Sequence, residues 1–263
     1  MSALLQTPGA PLLREDRDGV ATLTLNRPAQ MNLLTGEMLS ALQEAFDTIE
    51  KDPSVRVVVL AANGKGFCAG HDLKEIRALG ELPAIEKLFQ QCNAMMSRIP
   101  RLPQPVIAKV QGAAAAAGCQ LVAQCDLAVA VDAAKFVAPG VTWGFFCSTP
   151  GVALGRNLQR KHALEMLLTG EAISAQRALE WGLVNRVVPA DRLDAETDAL
   201  ARVLASKPPG TVAAGKRAFY QQMELGLSGA YELAGKVIAA SFAQAEGIAG
   251  MNAFIDKKPP PTP

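Results

Sequence analysis

Three short, almost wholly apolar segments constrain the fold of this chain more than any other feature. They are VRVVVLAA (55–62), PVIAKVQG (105–112) and DLAVAVD (126–132). Runs rich in β-branched residues and bounded by turn residues are typical of strands covered on both faces, as in parallel sheets. Because helical patterns lie between these segments, the sequence predicts an α/β fold with right-handed crossover connections.

Other elements are predicted by periodicity. GVATLTLNRP (19–28) alternates apolar and polar residues and predicts a strand, whereas TGEMLSALQEAFDTIEKD (35–52) predicts a helix with Thr35 as its N-cap. Residues 78–102 predict one long helix. From about Asn157 onward the pattern is mostly helical, apart from the short predicted strand LVNRVVP (183–189).

Two stretches poor in side chains follow two of the buried strands. NGKGFCAGHDLKE (63–75) is glycine-rich, but its glycine spacing fits neither a dinucleotide-binding loop nor a phosphate-binding P-loop. QGAAAAAGCQ (111–120) follows the next strand and is predicted to be helical. The sequence thus offers two loops of small residues where open α/β sheets bind ligands.

Loops of this kind can provide unpaired backbone N–H groups that bind a ligand oxygen. The first N–H groups of a helix have no partner within it and lie at the positive end of the helix dipole. Two loops of this kind can direct two N–H groups at one oxygen, as in an oxyanion hole for a thioester carbonyl that becomes an enolate. The alternatives are a tight turn that requires glycine in the first loop and a close helix–sheet contact in the second.

Composition excludes some functions and suggests a compartment. With 26 Lys and Arg against 25 Asp and Glu, the net charge is +1, which provides no general attraction for nucleic acid. The five cysteines include no CxxC pair or zinc-like spacing, so we expect reduced thiols and no metal site. No targeting sequence or apolar run long enough to span a membrane is recognisable, and the prediction is a cytoplasmic protein.

Few side chains are candidates for acid–base or nucleophilic chemistry. His71 lies in the first loop beside Asp72, where its backbone N–H is expected to matter more than its ring. His162 is expected to be a packing or surface residue. Cys147 and Ser148 lie in a loop of small residues without an adjacent base, which weighs against a nucleophile.

Five motifs in order resemble the crotonase superfamily, the enoyl-CoA hydratase/isomerase fold, and the resemblance extends from residue 13 to residue 258. The motifs are NRPAQMNLLTGEML (26–39), GKGFCAGHDLKE (64–75), VQGAAAAAGCQLVAQCDLAVA (110–130), KFVAPGVTWGFFCSTPG (135–151) and ALEMLLTGEAISAQRALEWGLVNRVVP (163–189). The resemblance implies an α/β fold, a ClpP-like spiral of ββα turns, with a C-terminal helical trimerisation region. The expected division is a core over residues 1–195 and a helical region over 196–263, in homotrimers or hexamers.

The resemblance also implies a ligand, an acyl-CoA thioester, with coenzyme A entering as part of the substrate and no other cofactor. Its carbonyl oxygen would accept hydrogen bonds from the backbone N–H groups of His71 and Ala117. Coenzyme A would lie along the first loop, and Arg27 and Lys257 are candidates for its phosphates. The residues expected to bind it are Arg27, Cys68, Ala69, Gly70, Asp72, Leu73 and Lys257.

The chain departs from the family pattern at the two catalytic positions. Hydratases of the family use two glutamates to hold and polarise water, and these match Gln120 and Gly140 here. A carboxamide does not take up a proton at neutral pH, and glycine has no side chain. Hydration by the usual mechanism is therefore not expected.

Three functions remain open on the sequence. The first is an acyl-CoA-binding member of the family that acts on a thioester through an oxyanion hole, in fatty-acid or acyl-CoA metabolism. The second is a non-catalytic acyl-CoA-binding or regulatory protein, and the third is a noncanonical CoA decarboxylase or thioesterase. Whether the chain is an enzyme is left undecided by these residues.

Overall fold

A computed structural model describes residues 9–260 of the 263-residue chain. The strands are β1 (Leu12–Arg17), β2 (Val20–Leu25), β3 (Val57–Ala62), β4 (Gly66–Cys68), β5 (Val106–Val110), β6 (Ala113–Ala115), β7 (Leu127–Val131), β8 (Lys135–Val137), β9 (Ile173–Ser174) and β10 (Arg186–Val188). The helices are α1 (Gly36–Glu50), α2 (Leu73–Leu79), α3 (Leu82–Arg98), α4 (Ala117–Gln124), α5 (Ser148–Asn157), α6 (Arg160–Thr169), α7 (Ala175–Trp181), α8 (Leu193–Ala205), α9 (Pro209–Gln222), α10 (Leu227–Ala243) and α11 (Ala245–Ile255).

The strands form two sheets that the chain visits alternately. One sheet has the order β1-β2-β3-β5-β7-β10 and is parallel from β2 onward, and the other has the order β4-β6-β8-β9. Each of β3, β5 and β7 is followed by a short strand of the second sheet and then by helical structure. This repetition confirms the predicted α/β spiral of ββα turns.

The apolar periodicity predicts the long elements well. Thr35 caps α1 as predicted, since its hydroxyl oxygen accepts the N–H of Met38 at 3.2 Å. The buried face of α1 includes Met38, Leu42 and Phe46, which join the core beneath the larger sheet. This packing fixes the segment that precedes the first loop.

Three details of the sequence prediction are wrong. The glycine-rich loop contains the strand β4, and the alanine run predicted as helix contains the strand β6, with α4 starting only at Ala117. β6 pairs with both β4 and β8, and this pairing overrides the helix preference of alanine. The long helix predicted over 78–102 is also interrupted, because Gly80 has a φ of 69° and separates α2 from α3.

The boundary predicted between residues 195 and 196 lies inside α8, which packs against β3, β5 and β7. The division into two regions stays a prediction, and residues 1–8 and 261–263 at its two ends lie outside the described residues. No helix among residues 9–260 has the length and hydropathy needed to cross a membrane.

A buried ion pair joins α9 to the core. The Nζ of Lys216 donates to Oδ2 of Asp126 at 2.6 Å and to the carbonyl oxygens of Ile99 and Gln104 at 2.9 Å each. The hydroxyl of Tyr220 donates to the other carboxylate oxygen of Asp126 at 2.8 Å. Burial lowers the pKa of Lys216, and the Asp126 carboxylate opposes this shift. The network places α9 across the end of the sheet.

Replacing Lys216 with methionine removes the charge that compensates Asp126 while keeping an apolar side chain of similar length. We expect Lys216→Met to lower the free energy of unfolding by about 3 kcal/mol, because a buried carboxylate loses its partner. Lys236→Met is the matched control, since Lys236 and Glu232 form an exposed pair that is worth at most about 0.5 kcal/mol. Equal losses in urea unfolding would contradict the importance of the buried network.

Candidate active site

The two small-residue loops meet at one cavity of about 750 Å³. Three segments line most of it: the end of the first loop with the start of α2, the start of α4, and the segment from Pro139 to Pro150. The predicted site residues among its lining residues are Ala69, His71, Asp72, Leu73, Ala117 and Gly140. The fold thus brings together residues that lie up to 71 positions apart.

Backbone-to-backbone contact between the loops depends on glycine. A Cβ placed on Gly118 would lie 2.1 Å from the carbonyl oxygen of Cys68, which no side chain can tolerate. Gly70 has a φ of 92°, and a Cβ there would lie 3.2 Å from the backbone nitrogen of Ala117. The first loop therefore lies directly against the N-terminus of α4.

A third segment, which belongs to the motif 26–39, supports the first loop, a role that the sequence analysis did not predict. The N–H of Ala69 donates to the carbonyl of Met31 at 3.0 Å, and the N–H of Leu34 donates to the carbonyl of Gly70 at 2.8 Å. Asn32 is fully buried, and its Nδ2 donates to the carbonyls of Asn63, Gly66 and Phe67. The only sequence signal is a polar residue within an apolar stretch, which does not reveal these partners.

A strained residue orients the start of α4. Ala116 has φ 49° and ψ −119°, a combination rare for a residue with a side chain, and such backbone costs about 1–3 kcal/mol. Its own N–H donates to the carbonyl of Val137 at 2.8 Å. Among residues 9–260, the N–H groups of Ala117 and His71 have no hydrogen-bond acceptor. Two unpaired donors from facing loops therefore belong to residues of one cavity.

The ring of His71 is neutral in this environment. It packs against Phe89 with the ring centroids 4.8 Å apart, and Nε2 is buried without a partner in the described chain. Burial lowers the pKa of His71 to about 4. The imidazole is thus uncharged at neutral pH. His162, in contrast, stacks on Trp181 at 4.3 Å and is not a residue of this cavity, which agrees with its predicted packing role.

Gly140, which the sequence analysis matched to the second family glutamate, is enclosed by the loop that follows it. The N–H of Gly140 donates to Sγ of Cys147 at 3.3 Å, and the N–H of Phe145 donates to the carbonyl of Gly140 at 3.2 Å. A Cβ on Gly140 would lie 2.6 Å from the carbonyl oxygen of Phe145 and 2.9 Å from Sγ of Cys147. A glutamate at residue 140 does not fit unless this loop moves.

Gln120 is buried, with 4% exposure, and lies one turn along α4 from Ala117. Its Oε1 has no hydrogen-bond partner in the described chain, and Gln120 is not among the residues that line the cavity. A neutral carboxamide thus lies behind the N-terminus of α4, and its match to the first family glutamate stays a prediction.

Several predicted binding residues do not line the cavity. Cys68 is fully buried, and burial raises its pKa to about 12, while Gly70 serves the close loop contact. Arg27 is engaged with Glu37 at 3.2 Å and with the carbonyl of Gly9 at 2.5 Å. Lys257 is exposed just beyond α11. The roles of these residues in binding stay predictions.

The cavity is mainly apolar and aromatic. Its aromatic residues are Phe89, Trp143, Phe145 and Phe146, and its charged groups are Asp72 and Lys74. Asp72 is occupied in capping α2, because its Oδ1 accepts the N–H of Lys74 at 2.8 Å. The Cys147 thiol has its pKa raised by burial, and it has no imidazole or carboxylate as a hydrogen-bond partner. The cavity can therefore bind an apolar group and polarise an oxygen, but it presents no free general base.

Comparison with known proteins identifies similar chains over nearly the whole length. The sequence model described as "Enoyl-CoA hydratase/isomerase" matches residues 15–262. The mitochondrial enoyl-CoA hydratase domain-containing protein 3 of Xenopus laevis is 45% identical over 98% of this chain and 87% of its own. A crystal structure of an enoyl-CoA hydratase from Mycobacterium smegmatis has a TM-score of 0.94 at 52% identity, covering 96% of this chain and 98% of that one.

A solved human protein supports the same relationship. The crystal structure of human enoyl-CoA hydratase domain-containing protein 3 has a TM-score of 0.92 at 43% identity, covering 95% of this chain and 99% of that one. The cytoplasmic location predicted from the sequence is wrong on this comparison, because the similar vertebrate proteins are named as mitochondrial. Reduced cysteines indicate a reducing environment and do not identify the compartment.

Substituting alanine for Gly140 tests how tightly the following loop packs against this residue. We expect Gly140→Ala to destabilise the protein by about 1–3 kcal/mol, because the added Cβ meets a backbone carbonyl that cannot rotate away. Gly155→Ala, in α5 with open space around it, is the control and should be neutral or stabilising by up to about 1 kcal/mol. Thermal unfolding measures both, and an unaffected Gly140→Ala variant would show that the loop is loosely packed.

Because the His71 ring is neutral in the folded protein, we expect the free energy of unfolding to depend on pH. Between pH 6.5 and 4 the unfolded chain binds a proton at this residue that the folded chain does not, so stability falls as the pH falls. We expect a loss of about 2 kcal/mol over this range once solvent screening at a partly exposed ring is allowed for. His71→Leu, which keeps the backbone N–H, should lose correspondingly less stability on acidification. Parallel pH profiles of the two proteins would contradict a low pKa for His71.

Proposed function

This chain belongs to the enoyl-CoA hydratase/isomerase family, and on that premise we propose that its cavity binds an acyl-CoA thioester through an oxyanion hole. The N–H groups of His71 and Ala117 are the two donors to the thioester carbonyl oxygen. The observation that carries this proposal is that both groups lack an acceptor in the described chain and belong to residues of the same cavity. Preorganised backbone donors of this kind stabilise an enolate or a tetrahedral intermediate.

The residues that line the cavity also suggest where the other parts of the ligand bind. The acyl group occupies the aromatic part of the cavity, and the coenzyme A moiety lies along Ala69, Asp72 and Leu73. Lys74 is the cation among the described lining residues and is available for a phosphate, whereas Arg27 is already paired with Glu37. This arrangement fits a role in fatty-acid or acyl-CoA metabolism.

The reaction is not standard hydration of an enoyl-CoA. Gln120 cannot act as an acid, and the space beside Gly140 is filled by Phe145 and Cys147. Chemistry that needs only the oxyanion hole remains available. Decarboxylation is one example, because breaking the carbon–carbon bond itself generates the enolate. Thioester hydrolysis would require in addition a water molecule as nucleophile, whose proton leaves with the thiolate to give the free thiol of coenzyme A.

A second candidate function is a non-catalytic acyl-CoA-binding or regulatory protein. The specific observation in its favour is that three titratable lining groups are unsuited to proton transfer: His71 is neutral and buried, Asp72 caps a helix, and the Cys147 thiol has a raised pKa. A turnover screen with malonyl-, crotonyl- and aryl-CoA separates the two functions. Release of CO₂ or thiol supports an enzyme, and binding without turnover supports the second candidate.

The C-terminal helices suggest self-association. They expose large apolar side chains, namely Phe219, Met223, Leu225, Leu227, Tyr231, Ile238, Phe242, Ile248, Met251, Phe254 and Ile255. A monomer rarely leaves so many such residues in water, and covering them on copies of the same chain removes apolar surface from solvent. We therefore assign the predicted homotrimer or hexamer to contacts of α9, α10 and α11.

The thioester carbonyl is the group that the oxyanion hole recognises, so removing it from the ligand tests the proposal without altering the protein. We expect butyryl-CoA to bind about tenfold or more tightly than S-butyl-CoA, which lacks the carbonyl, because two N–H donors lose their acceptor. Isothermal titration calorimetry measures both affinities. Equal affinities would contradict the oxyanion hole, and no binding of either ligand at millimolar concentration would contradict an acyl-CoA site altogether.

A further inference from the structure

The direction of the His71 N–H depends on the carbonyl group of the residue before it. The carbonyl of Gly70 and the N–H of His71 belong to one peptide unit, which is planar and trans, so the two groups point in opposite directions. The Gly70 carbonyl accepts the N–H of Leu34 at 2.8 Å. The N–H of His71 therefore points away from Leu34, and it has no acceptor among residues 9–260.

The N–H of Ala117 has a similar arrangement within its own helix. It shares a peptide unit with the carbonyl of Ala116, which accepts the N–H of Gln120 at 3.0 Å. This is the first hydrogen bond of α4, and it directs the Ala117 N–H outward from the N-terminal end of the helix. The helix itself thus directs the second donor.

The first donor has no helix to direct it. His71 lies before α2, so its N–H is not held by the hydrogen bonds of that helix. The segment 31–34 contacts this part of the loop instead. Besides the Leu34 contact, the N–H of Ala69 donates to the carbonyl of Met31 at 3.0 Å, and Leu34 pairs with His71 in a parallel β-bridge. Two backbone hydrogen bonds therefore join this segment to the end of the first loop.

The side chain of Asn32 fixes the register of this segment. Its Nδ2 is buried and donates to three carbonyls, of Asn63 at 2.9 Å, Gly66 at 3.2 Å and Phe67 at 3.1 Å. Its Oδ1 accepts the N–H of Arg27 at 2.9 Å. Asn32 has a φ of 53°, a left-handed conformation in which asparagine is enriched. One side chain therefore fixes the segment relative to β4, from which the first loop continues.

We propose that residues 31–34 position the oxyanion hole. The N–H of Leu34 holds the Gly70–His71 peptide with its free N–H directed at the ligand, and Asn32 maintains the register that this contact requires. Both are positioning residues, since neither Asn32 nor Leu34 lines the cavity. A hydrogen bond to the carbonyl also polarises the peptide and strengthens its N–H as a donor. This inference rests on the proposed oxyanion hole.

An amide-to-ester exchange at Leu34 tests this contact. Replacing Leu34 with its α-hydroxy acid, by cell-free translation of the full chain, removes the N–H and keeps the side chain. In the unmodified chain we expect butyryl-CoA to bind about tenfold more tightly than S-butyl-CoA. The exchange should reduce this preference to about threefold or less, because the Ala117 donor alone stays in place, while the affinity for S-butyl-CoA changes by less than about twofold. Calorimetry measures both affinities.

The same exchange at Leu39 is the matched control. The N–H of Leu39 donates to the carbonyl of Thr35 at 2.9 Å in the first turn of α1, and Leu39 does not line the cavity. This variant also loses one backbone N–H at a leucine, and it should keep the full preference for butyryl-CoA. A preference lowered equally by the two exchanges would overturn the positioning role, because loss of stability would then explain both results.

The variant Asn32→Asp tests the register, because it keeps the size of the side chain and replaces the amide donors with an acceptor. We expect the preference for butyryl-CoA to fall by about threefold or more, with the affinity for S-butyl-CoA nearly unchanged. Gln104→Glu is the matched control, since Gln104 is a buried carboxamide outside the cavity whose Nε2 donates to the carbonyls of Ile49 and Val55. It should lower stability and keep the preference.

The outcomes separate this inference from the proposed function. If the unmodified chain binds butyryl-CoA and S-butyl-CoA equally, the oxyanion hole is refuted. If it prefers butyryl-CoA and the exchange at Leu34 leaves that preference unchanged, the oxyanion hole stands and the positioning role of residues 31–34 is overturned. If Asn32→Asp does not fold, the exchanges at Leu34 and Leu39 decide the question.

Discussion

The contact of two backbones without intervening side chains is the constraint on which this structure depends. At Gly118 the helix α4 lies so close to Cys68 that even a methyl group would clash with the carbonyl oxygen. Gly112 approaches Lys65 in the same way one strand earlier. These contacts set the spacing between β4 and β6, and thereby the separation of the two loops that border the candidate active-site cavity. A larger residue at Gly118 would force α4 away from β4, next to the N–H group of Ala117.

The unfavourable contributions to this close contact come from a few residues beside it. Ala116 adopts a strained backbone conformation, and the N–H groups of His71 and Ala117 are left without acceptors in the described chain. Stability comes from elsewhere, through the fully satisfied side chain of Asn32 beneath the first loop and the buried pair of Asp126 and Lys216 at the other end of the sheet. Such a division, with strain at a site and satisfied polar groups around it, is typical of preorganised binding surfaces.

Burial keeps two titratable side chains of the candidate active-site cavity uncharged. The aromatic walls lower the pKa of His71 by burial and raise that of Cys147, so both groups are uncharged at neutral pH. The loop from Phe145 to Cys147 encloses Gly140, and Gln120 is a buried, neutral carboxamide. The cavity thus combines two backbone N–H groups that lack acceptors in the described chain with an imidazole and a thiol that are uncharged.

The sequence by itself determined the buried strands β3, β5 and β7 and the cap at Thr35, because hydrophobic periodicity and capping residues are local signals, and the order of its motifs indicated the family. Only the tertiary structure decided that Ala113–Ala115 is a strand, that Gly140 is enclosed by Phe145, and that Asn32 supports the first loop. A three-residue strand has too little periodicity to be recognised, and its conformation comes from pairing with β4 and β8. Likewise, burial and unpaired hydrogen-bond groups depend on neighbours that are distant in the chain, which no local pattern specifies.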